Sequence, residues 1–98
     1  MAKQVVLTED AYLDLEKAEE YYFAVSEALK QRFESVVLDA LQRLGSNPVS
    51  FKRFKKQYRS FTLDVFPYTV YYKETADQII IAAIVHGSRG NAYLKERL

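Results

Sequence analysis

The sequence predicts an α+β fold of two layers: an N-terminal strand, an antiparallel helical hairpin packed on an antiparallel β-meander, and a short C-terminal helix. Apolar residues recur at helical spacing through residues 9–44. They alternate with polar residues, or run without a break, through residues 58–86, as strands do. A chain of 98 residues is long enough for one hydrophobic core. We therefore treat residues 1–98 as a single domain.

The composition excludes several classes of protein. Apolar residues make up 49% of the chain and charged residues 28%, as in an ordinary soluble globular domain. No uncharged apolar run approaches the length of about 18 residues that a membrane span needs. The N-terminal residues lack a signal-peptide core, and the absence of cysteine excludes disulfides and thiolate metal sites. We expect a cytoplasmic protein without metal or cofactor.

The first half of the chain predicts a strand and a helix. The apolar run 5–7 suits a strand, and Thr8 can cap the helix that follows. The expected buried stripe of this helix is Leu15, Ala18, Tyr22 and Val25. The charged residues expected in solvent are Asp14, Glu16, Lys17 and Glu20. A break is predicted near Ser26, because serine caps well and the charge pattern restarts there.

A second helix is predicted from a 3.6-residue period that lasts more than four turns. Its apolar positions are Leu29, Phe33, Val36, Val37, Ala40, Leu41 and Leu44. Gly45 is expected to end it in the left-handed conformation, and Asn47-Pro48 prevents its continuation. Because the link between the two helices is short, they should pack as an antiparallel hairpin.

The second half predicts the meander. Residues 58–65 alternate, which indicates a strand with one face on the core. Its inward side chains are expected to be Phe61, Leu63 and Val65. Short links lead to strands at residues 68–74 and 78–86, and the last is apolar on both faces, as interior strands are. Residues 92–98 are expected to form a short helix.

Five cations fall within eight residues with no acid between them: Lys52, Arg53, Lys55, Lys56 and Arg59. Such a patch can hold phosphates or an acidic protein segment, and a solvated lysine-rich loop is the alternative. Arg59 lies two residues before Phe61 and is therefore expected on the same, inward face of the predicted strand. It either lies past the edge of the core or forms a structural ion pair with a helix acid, and we favour the ion pair.

His86 is the only histidine, and the strand pattern places it on the same face as Ile80, Ala82 and Ile84. It can act as a base or a proton donor near neutral pH. The interpretation that we favour is a partly buried histidine that bonds a backbone group at the strand end. Arg89 lies in a Gly-Ser-Arg-Gly turn, where its fork can bind a phosphate or a carboxylate, although glycines also simply end strands.

Four of the eight tyrosines follow the basic segment in the C-terminal half: Tyr68, Tyr71, Tyr72 and Tyr93. Beside a basic segment, such residues suit stacking on nucleic-acid bases. Tyrosine is also a good strand former, and packing in the core and at its rim is the interpretation that we favour. A zinc site is not expected, since one histidine without cysteine cannot supply the usual ligands.

The order of these segments resembles the RelE/ParE superfamily of bacterial toxins over nearly the whole chain. The motifs that carry the resemblance are Tyr58-Arg59-Ser60-Phe61, Phe66-Pro67-Tyr68 and His86-Gly87-Ser88-Arg89. The last two look most like ParE-type plasmid-stabilisation toxins. The resemblance implies a toxin that is neutralised by an acidic, partly disordered segment of an antitoxin. The candidate partner-binding residues are Lys52, Arg53, Lys55, Lys56, Arg59, His86 and Arg89.

The resemblance leaves the mechanism open. RelE-like members cut messenger RNA on the ribosome without metal, and Lys52, Lys55, Arg89 and Tyr93 would then be catalytic. Thr69 stands where RelE-like nucleases tend to have an arginine. ParE-like members bind and poison DNA gyrase, which is the mechanism that we favour. The alternatives are the ribosome-dependent nuclease and an inactive homologue that acts only as a binding module.

Overall fold

The computed structural model describes residues 3–46, 52–55, 57–88, 94, 97 and 98, and of residues 52–55 it describes the backbone. Within these residues two helices pack on a five-stranded sheet, which confirms the predicted α+β architecture. The helices are α1 (Glu9–Val25) and α2 (Glu27–Ser46). The strands are β1 (Gln4–Leu7), β2 (Lys52–Lys55), β3 (Tyr58–Thr62), β4 (Tyr68–Glu74) and β5 (Gln78–His86). No described helix is both long and apolar enough to cross a membrane.

Two side-chain caps fix the hairpin. Thr8 Oγ1 accepts the backbone N–H of Ala11 at 3.1 Å, and Ser26 Oγ accepts that of Leu29 at 3.0 Å. The Ser26 backbone is extended, and its N–H donates to the carbonyl oxygen of Tyr22 at 3.0 Å. One residue therefore ends α1 and begins α2. The predicted break at Ser26 is confirmed.

Gly45 does not end α2 as predicted. No described glycine has a positive φ, and the helix continues to Ser46. A Cβ at Gly45 would lie 3.1 Å from the carbonyl oxygen of Lys3 and 3.3 Å from Val5 Cγ2. The carbonyl oxygen of Gly45 also accepts the N–H of Lys3 at 3.0 Å. The close approach of β1, and not a left-handed helix end, is what favours glycine here.

The strand order is β1-β5-β4-β3-β2. Strands β2 to β5 form antiparallel pairs, whereas β1 pairs with β5 in parallel. The predicted meander of three strands is correct but incomplete, because the basic segment supplies a fourth strand, β2. Strand β5 is interior, as predicted, only over its first half. The β1 register ends at the pair Leu7 and Ile81.

A β-bulge at Ala82 changes which residues of β5 face the helices. Tyr71 of β4 pairs with Ala83, and the next residue, Tyr72, pairs with Ile81, so Ala82 is the extra residue. The β5 residues in the main core beneath the helices are Ile79, Ile81 and Ile84. Those in a second cluster are Ala83 and Val85, which pack with Leu94, Leu98 and Tyr71. The second cluster contains no residue of α1 or α2, and we assign it to the opposite face of the sheet.

The bulge corrects the predicted orientation of His86. The simple alternation of side chains along a strand places His86 with Ile80, Ala82 and Ile84. His86 still shares its face with Ile84, which packs in the main core together with Ile81. The extra residue shifts the alternation by one, so this face is not that of Ile80. His86 therefore lies on the helix side of the sheet.

The main core is aromatic at its centre. Phe33 and Tyr72 are each 0% exposed, and the Tyr22 ring lies 5.0 Å from that of Phe33 and 4.9 Å from that of Phe66. The predicted stripe of α2 is confirmed, with Phe33, Val37, Ala40 and Leu44 buried and Leu29, Val36 and Leu41 partly buried. Burial of Tyr72 confirms the packing interpretation for that tyrosine.

Two valines predicted in the core are exposed. Val25, at the end of α1, is 66% exposed, and Val65 is 72% exposed with a φ of 72°. Strand β3 ends at Thr62, so the alternation expected through residue 65 stops there. The N–H of Leu63 donates to the carbonyl oxygen of Tyr68 at 2.9 Å, which turns the chain toward β4.

The predicted C-terminal helix lies mostly outside the described residues. Of residues 92–98, Leu94, Arg97 and Leu98 are described, and the N–H of Leu98 donates to the carbonyl oxygen of Leu94 at 2.9 Å. That contact has the spacing of one α-helical turn. The helix as a whole stays a prediction.

Candidate functional site

His86 is held by its neighbours at the end of β5. Its Nδ1 accepts the backbone N–H of Ser88 at 3.0 Å and lies 2.8 Å from Ser88 Oγ. Its ring meets that of Tyr68, the facing residue of β4, edge to face at 5.2 Å. This arrangement confirms the interpretation of a partly buried histidine that bonds a backbone group. Since Nδ1 accepts a backbone N–H, the neutral ring carries its proton on Nε2.

A cavity of about 260 Å³ lies beside His86, between α1 and the ends of β4 and β5. Its polar lining consists of Asp14, Lys17, Tyr21, Tyr68, His86 and Ser88. The aromatic rings form apolar walls, while the hydroxyls, the imidazole and the ammonium can bond a ligand. Among the described residues, no ion pair involves Lys17. This cavity is the candidate binding site.

Asp14 is not in solvent, as the charge pattern predicts, but forms the wall of this cavity. Its Oδ2 accepts the backbone N–H of Ile84 at 3.0 Å. Arg97 donates to both carboxylate oxygens, at 3.1 Å to Oδ1 and 2.9 Å to Oδ2, and also to the carbonyl oxygen of Ala82 at 3.0 Å. The Asp14 and Arg97 side chains are 13% and 14% exposed. Bidentate hydrogen bonds between an arginine and a carboxylate are among the stronger hydrogen bonds in proteins.

A signal for Asp14 is present in the sequence. Ala11 and Ala18 are buried, and Asp14 lies three residues after the first and four before the second. That spacing places Asp14 on the buried stripe of α1. An acid on such a stripe requires a partner. The identity of that partner, Arg97, has no signature in the sequence.

Three of the five predicted cations, Lys52, Arg53 and Lys55, belong to β2 at one end of the sheet, and Arg59 belongs to β3. Lys52, Arg53 and Lys55 pair with Ser60, Arg59 and Tyr58, and the register shifts between Arg53 and Lys55. Lys56 lies outside the described residues, as do the side chains of β2. Two strands separate β2 from β5, so the backbones of these two strands lie three strand spacings apart, roughly 14 Å. Of the predicted partner-binding residues, Arg59 and His86 have described side chains, and of these two His86 lines the cavity.

Arg59 lies opposite Tyr72 in the β3–β4 register. Burial raises the pKa of Tyr72 to about 12, although the charge of Arg59 acts to lower it. The positive charge therefore lies near the buried phenol, at the rim of the main core. The structural ion pair predicted for Arg59 stays a prediction.

Two of the predicted catalytic residues, Arg89 and Tyr93, lie outside the described residues. Thr69 is in β4, where its hydroxyl lies 3.1 Å from that of Thr62 on β3. Thr69 stands at the position where RelE-like nucleases tend to have an arginine. In the described part of the chain, no three residues among His, Cys, Asp and Glu are placed to hold a metal ion.

A second cavity, of about 220 Å³, lies along the helical hairpin and is lined by Glu16, Glu19, Glu20, Phe23 and Lys30. Burial and a hydrogen bond to the Glu34 carboxyl raise the pKa of Glu19 to about 7, against the opposing charge of Lys30. Lys30 Nζ lies 3.7 Å from Glu34 Oε2. The Glu34 carboxyl of α2 thus acts on the Glu19 carboxyl of α1 as a nearby like charge.

Comparison with known proteins agrees with the geometry. The family model of the ParE toxin of the type II toxin–antitoxin system parDE matches residues 5–90. A solved structure, the chromosomal ParDE TA system from P. aeruginosa, aligns with a TM-score of 0.76 over 87% of this chain and 96% of that one. Its sequence identity is 16%, so this likeness carries the fold alone. No curated protein matches the sequence. On the family match, this chain belongs to the ParE toxin family of type II toxin–antitoxin systems.

Proposed function

We propose that this protein stops bacterial growth by binding DNA gyrase, and that an antitoxin encoded beside it relieves the inhibition. The observation that carries the proposal is the match to the ParE family over residues 5–90. Thr69 supports it, because this threonine stands where RelE-like nucleases tend to have an arginine. Inhibition of gyrase places the site of action in the cytoplasm.

The test is an assay of gyrase and of translation with the same purified chain. We expect the chain to block supercoiling of a relaxed plasmid by gyrase and to leave cell-free translation intact. In cells, induction of the chain should produce filamentation and the SOS response. Abrupt loss of translation with cut messages would instead identify the ribosome-dependent nuclease. A folded chain that affects neither process would be an inactive homologue.

Arg89 offers a sharper test within the protein. In the sequence Arg89 follows His86, the last residue of β5, by three positions and stands between Gly87 and Gly90, and its guanidinium fork suits a carboxylate or a phosphate. Arg89→Ala should sharply reduce toxicity with little change in the thermal melt. Arg32→Ala, at an exposed arginine of α2, is the matched control and should stay toxic. If folded Arg89→Ala stops growth as well as the parent, Arg89 is not part of the inhibitory surface.

His86→Ala separates structure from function in the same assay. His86 bonds Ser88 and packs on Tyr68, so its loss should mainly lower the melting temperature. A toxic but less stable variant is the expected result. Loss of toxicity without loss of stability would move His86 into the inhibitory surface.

A further inference from the structure

A groove follows the outer surface of the helical hairpin. Its centre is the second cavity, of about 220 Å³, which is lined by Glu16, Glu19, Glu20, Phe23 and Lys30. None of these residues belongs to either hydrophobic core cluster. Glu34 borders the cavity through its hydrogen bond to Glu19. Tyr12 lies one helical turn before Glu16, and Leu38 lies one turn after Glu34, so both continue the same face. We call the cavity together with Tyr12, Glu34 and Leu38 the hairpin groove.

The hairpin groove presents apolar side chains to solvent at both ends. Tyr12, Phe23 and Leu38 are each more than half exposed. Because the helices are antiparallel, Tyr12 and Leu38 lie on one side of the contact between Glu19 and Glu34, and Phe23 lies on the other. Exposed apolar side chains that share one face, with polar groups beside them, mark an interaction surface, whereas scattered ones need no explanation.

The centre of the hairpin groove carries excess negative charge. Its acids are Glu16, Glu19, Glu20 and Glu34, and its cation is Lys30. Lys30 Nζ is already engaged, since it lies 3.7 Å from Glu34 Oε2 and 5.7 Å from the centre of the Phe23 ring. Within the described part of the chain, no ion pair involves Glu16 or Glu20. The charge left for a partner is therefore negative.

The acids of the groove also repel one another. Burial raises the pKa of Glu19 to about 7, and the hydrogen bond to Glu34 and the negative charges of Glu34 and Glu16 act in the same direction. A cationic side chain placed among these carboxyls would favour their charged forms. The groove is thus complementary to a partner that brings positive charge.

We propose that the hairpin groove is a surface through which this toxin binds gyrase. A segment of gyrase places lysine or arginine side chains among the four glutamates, and its apolar side chains cover Tyr12 and Leu38 at one end and Phe23 at the other. The inference deepens the proposed function, because it names the surface that engages the target, and it rests on gyrase being that target.

Charge and position favour gyrase as the occupant. An enzyme that holds DNA presents lysine and arginine side chains to the phosphates, so gyrase has cationic surfaces that complement the groove. A nucleic acid and an acidic antitoxin segment are both repelled by the same carboxylates. The groove shares no lining residue with the cavity beside His86, so the two surfaces of α1 are separate.

The first test measures the affinity of intact gyrase for charge-reversed toxins by biolayer interferometry. Glu20→Lys should weaken binding at least about tenfold, because it places a cation in the groove. The change should not destabilise the toxin, since Glu16 and Glu20 are like charges one turn apart on α1. The matched control is Asp77→Lys, the same change at an exposed residue between β4 and β5. It should alter the affinity less than about twofold.

The second test removes an apolar contact. Phe23→Ala should weaken gyrase binding roughly fivefold or more, as truncation of a buried aromatic anchor does in an interface. Val25→Ala, at an exposed residue near the same end of α1, is the control and should change the affinity less than about twofold. All four variants should keep the antitoxin affinity and the thermal melt of the parent, which shows that they are folded. Equal gyrase affinities of Phe23→Ala and Val25→Ala would overturn the proposal.

The same measurements separate the surface from the target. If the parent chain does not bind gyrase, the target is wrong and this inference is wrong with it. If the parent binds gyrase and Glu20→Lys binds equally well, gyrase stays the target and only the assignment of the groove is wrong. If Glu20→Lys spares gyrase binding but weakens the antitoxin complex, or dissociates a self-associated toxin in sedimentation runs, the groove binds the antitoxin or a second copy of this chain, and the proposal is wrong.

Discussion

Strand β2 and the second half of β5 both present backbone groups to the outside of the sheet, but they avoid unwanted strand pairing by different means. The β2 sequence is Lys-Arg-Phe-Lys, and its register shifts between Arg53 and Lys55. Lysines and bulges are common protections of edge strands. The second half of β5 is apolar and carries no charge of its own before His86. Its edge is occupied by an ion pair from α1 and the C-terminal residues.

The two edges differ in the sequence separation between the strand and the residues that protect it. The cations of β2 are part of the strand that they protect. Asp14 and Arg97 are 83 positions apart, and Asp14 is 70 positions from Ile84, whose N–H it accepts. A local charge protects an edge in any arrangement of the chain, whereas a tertiary ion pair does so only in the folded state. Loss of the Asp14–Arg97 pair would therefore uncover Ala82 and Ile84 at the β5 edge, whereas the charges of β2 do not depend on a distant residue.

The comparison assumes that both edges belong to one cooperatively packed sheet. Truncation of a core side chain tests this assumption and should have the largest effect on the free energy of unfolding. Phe33 is 0% exposed and contacts the Tyr22 and Phe66 rings. Phe33→Ala should lower the free energy of unfolding by about 2–5 kcal/mol. Leu38→Ala, at a 59% exposed position of the same helix, should cost less than about 0.5 kcal/mol. Urea melts that show a loss below about 1 kcal/mol for Phe33→Ala would contradict the layer assignment.

The Asp14–Arg97 pair at the β5 edge should contribute more to the free energy of unfolding than an ion pair between neighbouring residues of one helix. Asp14→Ala leaves the N–H of Ile84 and the guanidinium of Arg97 without a shared acceptor, at a cost of about 1–3 kcal/mol. The control is Asp39→Ala, since Asp39 pairs with Arg43 at 3.2 Å on the surface of α2. The control should cost about 0.5 kcal/mol or less. Equal losses in urea melts would mean that the Asp14–Arg97 pair does not stabilise the fold.

The like charges of Glu19 and Glu34 provide a third case, because their contribution to the free energy of unfolding depends on pH. The pKa of Glu19 is about 7 in the folded state and 4.5 in an unperturbed glutamate. The folded state therefore binds the proton more tightly, so the extra stability is complete at low pH and is lost as pH rises through about 7. Melts between about pH 5 and 8.5 should show this decline. Glu19→Gln should remove it, whereas Glu20→Gln should not.

The local protection of β2 should affect association and leave stability almost unchanged. Charge reversal at Lys55 and Lys56 should change the free energy of unfolding by less than about 0.5 kcal/mol. It should slow association with the antitoxin and flatten the dependence of that rate on salt. Stopped-flow measurements at low and high salt test this expectation. An association rate that the reversal leaves unchanged at low salt would remove the patch from the interface.

Most of the fold follows from local patterns. The helical periods, the caps Thr8 and Ser26, and the short links of the meander depend on neighbouring residues, so they could be predicted. The errors occur where a distant residue intervenes. Gly45 serves the close approach of β1, and the strand expected to reach Val65 ends early, at Thr62. The bulge at Ala82 reverses the parity of β5 and with it the face of His86.

The candidate site divides in the same way. The sequence by itself determined the helical hairpin, the meander, the cationic segment and the strand that ends in His86, because each depends on spacing within one element. Only the tertiary structure decided that β1 covers half of β5, that the bulge turns His86 toward α1, and that Arg97 reaches Asp14. The spacing of residues along one strand or helix carries no information about contacts between different elements. The cavity and the β5 edge consist of such contacts, so they exist only once the chain is folded.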